Sequence, residues 1–192
     1  MTQAQNAFDE RYFELYVNPV LRSLRKMVAA AVSKGASVID IGCRTGEQSA
    51  MLASQCCRLV SLDNEEKHVV ETRARLLDFI DCDADVVLGD WDILQEFAEN
   101  EFDVAVLMMT IHELDWEDRS LVFKEALRIA QEVIVVDYVV PQPHTPHGAV
   151  ARTAELLAGR KHFSNYQSFQ KLGGLKALEK NLNLKRFNTE YN

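Results

Sequence analysis

Long apolar runs are missing from this sequence: no stretch approaches the 18 or more residues of a membrane-spanning helix, so none is expected. Cysteine is scarce. Cys43, Cys56, Cys57 and Cys82 form no C-x-x-C pair, and adjacent Cys56 and Cys57 are poorly placed to bridge each other. That argues against a disulfide framework and for a reduced, cytoplasmic chain. With 8 glycines and 4 prolines in 192 residues, there is no low-complexity tract, and no repeat is visible. Basic residues are the minority, 21 against 29 acidic ones, for a net charge of −8. A surface of that sign repels phosphate backbones, so no nucleic-acid partner is expected. The opening "MTQAQNAFDERYF" has neither a basic start nor an apolar core, and no signal peptide is read there.

What the chain does have is alternation between short β-type runs and helical periods. Phe8 to Val17 reads as a first helix; Asn18 and Pro19 then read as the cap and first turn of a second. Leu21, Leu24, Met27, Val28 and Val32 recur at helical spacing until Lys34-Gly35. Five strands are expected: Ser37–Gly42, Arg58–Asp63, Asp85–Asp90, Phe102–Met109 and Glu132–Val140. Between them lie helices over Gln48–Ala53, Glu65–Ile80 (with Val69, Thr72, Leu76 and Ile80 on one face) and Trp116–Ala130. Continuous apolar strands mean burial on both faces, hence an α/β fold with a doubly wound, mostly parallel sheet. After Val140 come a proline-punctuated loop, a helix over Ala149–Ala158, a helical stretch broken at Gly173-Gly174, and "KRFNTEYN" as one last strand. The chain is read as one domain: a helical lid over 1–34, a core over 35–140, and capping helices with the last strand over 141–192.

In such a sheet the ligand lies at the carboxyl ends of the strands, which makes "VIDIGCRTGEQS" the default site. It is not a dinucleotide fingerprint, because with Gly42 as the first glycine the next two positions fall on Arg44 and Glu47. Glu47, opening the helix, would also repel a pyrophosphate. No G-x-x-x-x-G-K-[ST] occurs either. What does occur is D-x-G-x-x-x-G on Asp40, Gly42 and Gly46, where a carboxylate suits a ligand's ammonium group. Asp63, ending the second strand, offers two acceptor oxygens at roughly the spacing of a vicinal diol.

At this point the chain resembles the class I S-adenosylmethionine-dependent methyltransferases. The resemblance covers about residues 35 to 140, on "VIDIGCRTGEQS", Asp63 closing "RLVSLD", "GDWDIL" and "FDVAVLMMTIHEL". It implies a Rossmann-like methyltransferase fold with S-adenosylmethionine as cofactor and S-adenosylhomocysteine as product. Asp40, Gly42, Cys43 and Gly46 would line the methionine end, Asp63 would hold the ribose hydroxyls and Asn64 would flank the adenine. Asp90 would bond the adenine amino group, Trp91 would pack on the ring, and Met109 and Thr110 would edge the reacting centre. Asp63 as a helix cap and Trp91 as core are the structural alternatives. Arg44 departs from the family's glycine; its side chain either points to solvent or reaches a carboxylate of cofactor or substrate.

Methyl transfer needs alignment more than acid–base chemistry. His112, beside Glu113 in "TIHEL", is the candidate base or acceptor-orienting group. Tyr12 and Tyr16, and beyond the fifth strand His144, His147, Arg152, His162 and Tyr166, resemble substrate-contacting residues. The histidines lack a zinc-site spacing, and no metal is expected. No [DNS]-P-P-[YFW] segment and no Pro-Cys pair is present, which leaves a small-molecule acceptor first and a protein side chain second. Other readings are a silent cofactor-binding module or partner subunit, and, more weakly, a nucleotide-dependent oxidoreductase. Family members end the sheet with an antiparallel hairpin, so either a final strand is missing here or the register differs. An open edge of that kind predicts a homodimer that uses it or the helical segments.

Overall fold

The computed structural model describes residues 12–182. The start of the first expected helix and the strand expected over "KRFNTEYN" lie outside the described residues. The described residues divide into two compact units, one of Arg25–Ile111 with Trp116–Val136, the other of residues 12–24, His112–Asp115 and residues 137–182.

Helix α1 (Asn18–Ala31) is followed by β1 (Ser37–Ile41), α2 (Glu47–Ala53), β2 (Arg58–Asp63), α3 (Glu66–Leu76) and β3 (Asp83–Leu88). A short 3-10 segment (Trp91–Glu96), β4 (Phe102–Met108), α4 (Trp116–Ile129) and β5 (Ala130–Val136) follow; the first unit holds these elements and α1 from Arg25 onward. Among the described residues all strand pairs are parallel, in the order β3-β2-β1-β4-β5. Ile39 pairs with Val60 on one side and Ala105 on the other. Ile39, Ile41, Leu59, Leu62 and Leu107 are fully buried, and at roughly 1.5–3 kcal/mol for each large side chain this layer supplies the main drive to fold. The amino end of β4 is pinned by Phe102, which meets the Phe97 ring edge-on at 5.3 Å and carries the Arg58 guanidinium 4.8 Å above it. The chain lays β2 and β3 on one side of β1, then crosses to lay β4 and β5 on the other. The carboxyl ends of β1 and β4 therefore flank the topological switch point.

The expected parallel, doubly wound sheet is thus observed, and several boundaries move. β3 starts at Asp83 and ends at Leu88 rather than Asp90. Helix α3 stops at Leu76, where Phe79 N–H turns back to the Leu76 carbonyl, so Ile80 is 88% exposed instead of lying on the buried face. Of the apolar residues at helical spacing in α1, Val28 is buried and Met27 is 48% exposed. β5 ends at Val136, four residues before the expected Val140. There Asp137 turns its carboxylate onto the Tyr138 backbone N–H (2.7 Å), a local bond that competes with continuing the ladder.

In the second unit the chain does not break before Asn18 as the sequence suggested. Phe13–Val17 is a π-type turn that runs directly into α1. Pro19 has no N–H to donate and crowds the preceding turn, and a widened π turn is one way for a helix to accommodate it. Beyond β5 come α5 (Pro146–Leu157), α6 (Arg160–Leu172) and α7 (Gly174–Asn181). Helix α5 begins three residues earlier than expected because Thr145 caps it, its hydroxyl accepting from Gly148 N–H at 3.2 Å, with Pro146 in the first turn.

Candidate functional site

The loop leaving β1 is built from left-handed residues: Gly42 (φ 79°), Arg44 (φ 50°) and Gly46 (φ 82°). A Cβ on Gly42 would come within 2.6 Å of Thr110 Cγ2, and one on Gly46 within 2.8 Å of Thr72 Oγ1. The chain's own packing therefore requires both glycines. Arg44 adopts the same backbone with a side chain attached, at about 1–2 kcal/mol. Two bonds hold it there: its N–H donates to Asp63 Oδ2 (2.8 Å), and its carbonyl accepts from the Thr72 hydroxyl (2.9 Å). The turn thus accommodates an arginine because backbone contacts on both sides enforce it.

Asp63 closes β2 with its side chain 6% exposed. Oδ1 accepts from Glu65 N–H at 3.0 Å and lies 3.0 Å from His68 Nδ1, which carries the proton between them. Burial pushes the Asp63 carboxyl up, but the bonds from His68, Glu65 and Arg44 outweigh it and hold the group below the usual range. Asp63 is an ionised acceptor at neutral pH with about three of its roughly four acceptor positions occupied. Asp40, buried in β1, accepts from Ser49 Oγ at 2.6 Å. Burial, with the neighbouring Asp63 charge, raises its pKa to about 6 against the Ser49 hydrogen bond. Glu47 is engaged by Thr45 Oγ1 (2.6 Å), Arg75 (3.4 Å) and Arg25 (3.8 Å). Beside it, the Gln48 amide is buried, with no hydrogen-bond partner for its nitrogen or oxygen among the described residues.

The loop thus brings Asp40, Gly42, Cys43, Arg44, Gly46 and Asp63 into one neighbourhood. Cys43 is buried, its thiol pushed up by burial and by the Asp40 charge. Asn64 and Asp90 are exposed, and the Asp90 side chain does not cap the segment beginning at Trp91. Trp91 is buried and core-like at 9% exposure. Met109 sits just past β4 with φ 58°, its N–H bonded to the Val136 carbonyl at 2.7 Å. Thr110 donates to the Ile41 carbonyl (3.0 Å), tying the exits of β4 and β1 together. The set fits an adenosyl ligand: an ionised carboxylate with an acceptor position to spare, a second carboxylate at the glycine turn, and an unmet buried amide.

The second unit gathers a different group. His112 is 1% exposed; its Nδ1 lies 2.8 Å from Asp137 Oδ1, and its backbone N–H donates to Asp137 Oδ2 at 3.1 Å. Glu155 on α5 joins it: Oε2 lies 3.3 Å from His112 Nε2 and 2.6 Å from His162 Nε2, while Oε1 accepts from the Tyr138 hydroxyl at 2.6 Å. Burial lowers the His112 pKa, but Asp137 and Glu155 outweigh it and raise it to about 10. Glu155 is held well below the usual range, its burial overcome by hydrogen bonds from His112 and His162. Tyr166 is buried with its ring 5.3 Å from that of Tyr138. Of the expected acceptor residues, His112, His162 and Tyr166 meet. Arg152 is exposed with its guanidinium 5.8 Å from the Phe163 ring, and His144 and His147 are exposed. Tyr12 and Tyr16 contact each other at 5.3 Å, and the Tyr12 hydroxyl donates to the Val150 carbonyl. Asp137, Tyr138 and Glu155 were missed. The available signal was an acid interrupting the apolar run "VIVVDYVV", and a glutamate seven residues before His162.

Several solved structures share this fold. A SAM-dependent methyltransferase from Methanosarcina mazei is 18% identical, over 60% of this chain and 58% of that one, with a TM-score of 0.52. A putative methyltransferase from Bacillus halodurans is 19% identical, over 63% and 52%, at 0.53. The [4+2]-cyclase SpnF is 19% identical, over 65% and 47%, at 0.55. The chain thus spans about half the length of these relatives (58%, 52% and 47%). At such identities the likeness establishes the class I methyltransferase fold, and a cyclase among the three warns that fold alone does not select a reaction. No curated protein matches the sequence. The family model described as "Methionine biosynthesis protein MetW" matches residues 22–141, well over half of the chain, and the chain belongs to that family.

Proposed function

We propose that this protein binds S-adenosylmethionine at the β1 loop and catalyses methyl transfer to a small-molecule acceptor. The observation that carries the reading is the bond from Arg44 N–H to Asp63 Oδ2, which fixes an ionised carboxylate beside the glycine turn at the switch point. Asp63 accepts a ribose hydroxyl at its remaining position, and the second hydroxyl enters where His68 now bonds. Asp40 and the Gln48 amide face the amino-acid end, with Gly42, Cys43 and Gly46 shaping the turn. Asn64, Asp90, Trp91 and Met109 are assigned to the adenine and methyl ends on the family resemblance. The cofactor supplies an electrophilic methyl on a sulfonium, which leaves as a neutral thioether.

His112 and Tyr166 are buried, so we assign them to positioning rather than to direct acceptor contact. Exposed Arg152 and Tyr16, with Tyr12, are the proposed acceptor contacts, while His162, bonded to Glu155, belongs with the buried cluster. The family description directs an acceptor screen to thiol and hydroxyl amino acids first, because methionine itself carries a methylated sulfur. Transfer of labelled methyl to any of these, lost in Asp63→Ala, supports the reading. Tight cofactor binding with no turnover across the screen favours instead a cofactor-binding subunit, a reading that the nearly filled acceptor set of Asp63 also supports.

Four free cysteines support a reducing, cytoplasmic setting. No helix among the described residues is long and apolar enough to cross a membrane, and the net charge of −8 argues against a nucleic-acid partner. Among the described residues β5 is an edge strand, which supports a homodimer through that edge; a monomer mass by light scattering would remove it.

A further inference from the structure

We propose that His112, Glu113, His162 and Glu155 form a binding site for one first-row divalent transition-metal ion. All four belong to one unit of the chain, and the inference does not rest on the methyl-transfer reading. The donor atoms of His112, Glu113 and His162 lie within 4.8 Å of one another. Glu113 Oε1 is 3.9 Å from both His112 Nε2 and His162 Nε2, and Glu155 Oε2 is 3.3 Å from His112 Nε2. Ligands held about 2.0–2.2 Å from one ion stand roughly 3–4 Å from each other, so these separations suit a shared centre. The remaining pair, Glu155 Oε2 and His162 Nε2 at 2.6 Å, needs to open by about half an ångström to reach that range.

The surroundings are arranged as around a metal ligand. Asp137, its side chain fully buried, engages His112 Nδ1 at 2.8 Å. That fixes the ring with Nε2 turned toward the Glu155 and Glu113 carboxylates, the carboxylate–histidine pairing that orients metal-bound imidazoles. The Tyr138 hydroxyl ties down the outer oxygen of Glu155, and Asn165 Nδ2 donates to the Glu113 carbonyl at 2.6 Å. Two imidazoles and two carboxylates without a thiolate select zinc, iron(II), cobalt(II) or manganese(II), and disfavour calcium and magnesium, which prefer all-oxygen shells. The sequence shows no zinc spacing because the ligands come from three separated segments. Histidine and glutamate are adjacent after β4, Glu155 lies late in α5, and His162 opens α6.

The test uses the full-length protein, stripped with chelator and titrated with zinc by calorimetry and with cobalt(II) by visible absorption. One ion per chain is expected, with the d–d bands of a nitrogen- and oxygen-ligated cobalt centre. His162→Gln and Glu155→Gln should each weaken binding at least tenfold, and Asp137→Asn about 10–100-fold. His162 is the most exposed of the histidine ligands, so His162→Gln should keep the wild-type far-ultraviolet spectrum. His144→Ala and His147→Ala, at exposed positions outside the cluster, should bind like wild type. Stoichiometry far below one, or equal affinity in wild type and His162→Gln, overturns the site. Affinity for S-adenosylhomocysteine, followed in the same samples, separates failure of this inference from failure of the proposed function.

Discussion

Gly46→Ala probes the geometry on which the loop depends. The new Cβ would stand 2.8 Å from Thr72 Oγ1 and 2.9 Å from both Thr72 Cα and Cγ2. Thr72 is fully buried in α3, and one of the contacts is backbone, so the side chain alone cannot yield. Overpacking of this kind costs about 1–3 kcal/mol. The left-handed φ of 82° adds about 1–2 kcal/mol for any residue with a Cβ, offset by about 0.5–1 kcal/mol that alanine gains by restricting the unfolded chain. The expected loss is about 1–4.5 kcal/mol, or roughly 2–18 °C in melting temperature for a chain of this size. Gly35→Ala is the internal control, because Gly35 has a similar φ of 77° but nothing within 4 Å of the place a Cβ would take; it isolates the backbone strain. Urea midpoints for the two variants, with unchanged slopes, give the packing contribution by difference. If Gly46→Ala costs no more than Gly35→Ala, Thr72 does not constrain the turn, and the account of how the loop holds Arg44 fails.

Three further outcomes follow from the same neighbourhood. Asp40→Asn should stabilise the protein above pH 6. Burial raises the Asp40 pKa from 3.8 to about 6, so the stability linked to its proton is present below pH 4 and lost as pH rises to about 6; at about 1.4 kcal/mol per pH unit that is at most roughly 3 kcal/mol. Chemical denaturation at pH 4 and pH 8 checks it, and cofactor affinity should fall in the same variant. His68 gains its raised pKa first from its hydrogen bond to Asp63, so its contribution is full below about pH 6.5 and fades as pH climbs through the higher folded value. His68→Ala should therefore flatten the stability profile above pH 6.5, measured by melting across a pH series. Arg44→Gly should relieve about 1–2 kcal/mol of backbone strain against about 0.5–1 kcal/mol of added unfolded-state entropy. A melting temperature unchanged or raised by a few degrees is expected, and a clear fall would mean that the arginine side chain itself holds the loop.

The sheet was legible because its central strands are buried on both faces and read as unbroken apolar runs: β2 over Arg58–Asp63 matches the expected range at both ends. Its edges were less legible. β3 starts earlier and β5 stops earlier than the apolar run suggests, since strand ends depend on which neighbour supplies the ladder and on local competitors such as Asp137. Asp40 and the two glycines were visible as a pattern because loop geometry at a strand exit is set within a few residues, and Asp63 as an acid closing an apolar strand. The His112–Asp137–Glu155–His162 cluster was not, because its members are separated by up to 50 positions and meet only through tertiary packing. The sequence offered His112, His144, His147 and His162 as candidates and had no means of distinguishing His162, which joins the cluster, from exposed His144 and His147.

The most direct measurement is thermal unfolding of wild type and Asp63→Ala with S-adenosylhomocysteine, S-adenosylmethionine and, as a control, NAD. A ligand at 100 times its dissociation constant adds about 2.7 kcal/mol, which corresponds to roughly 5–11 °C here. The account predicts that shift for both adenosyl ligands on wild type, little or none with NAD, and its loss in Asp63→Ala. An unshifted wild type with either adenosyl ligand, or an equal shift in Asp63→Ala, would contradict the central claim that the β1 loop and Asp63 hold the cofactor.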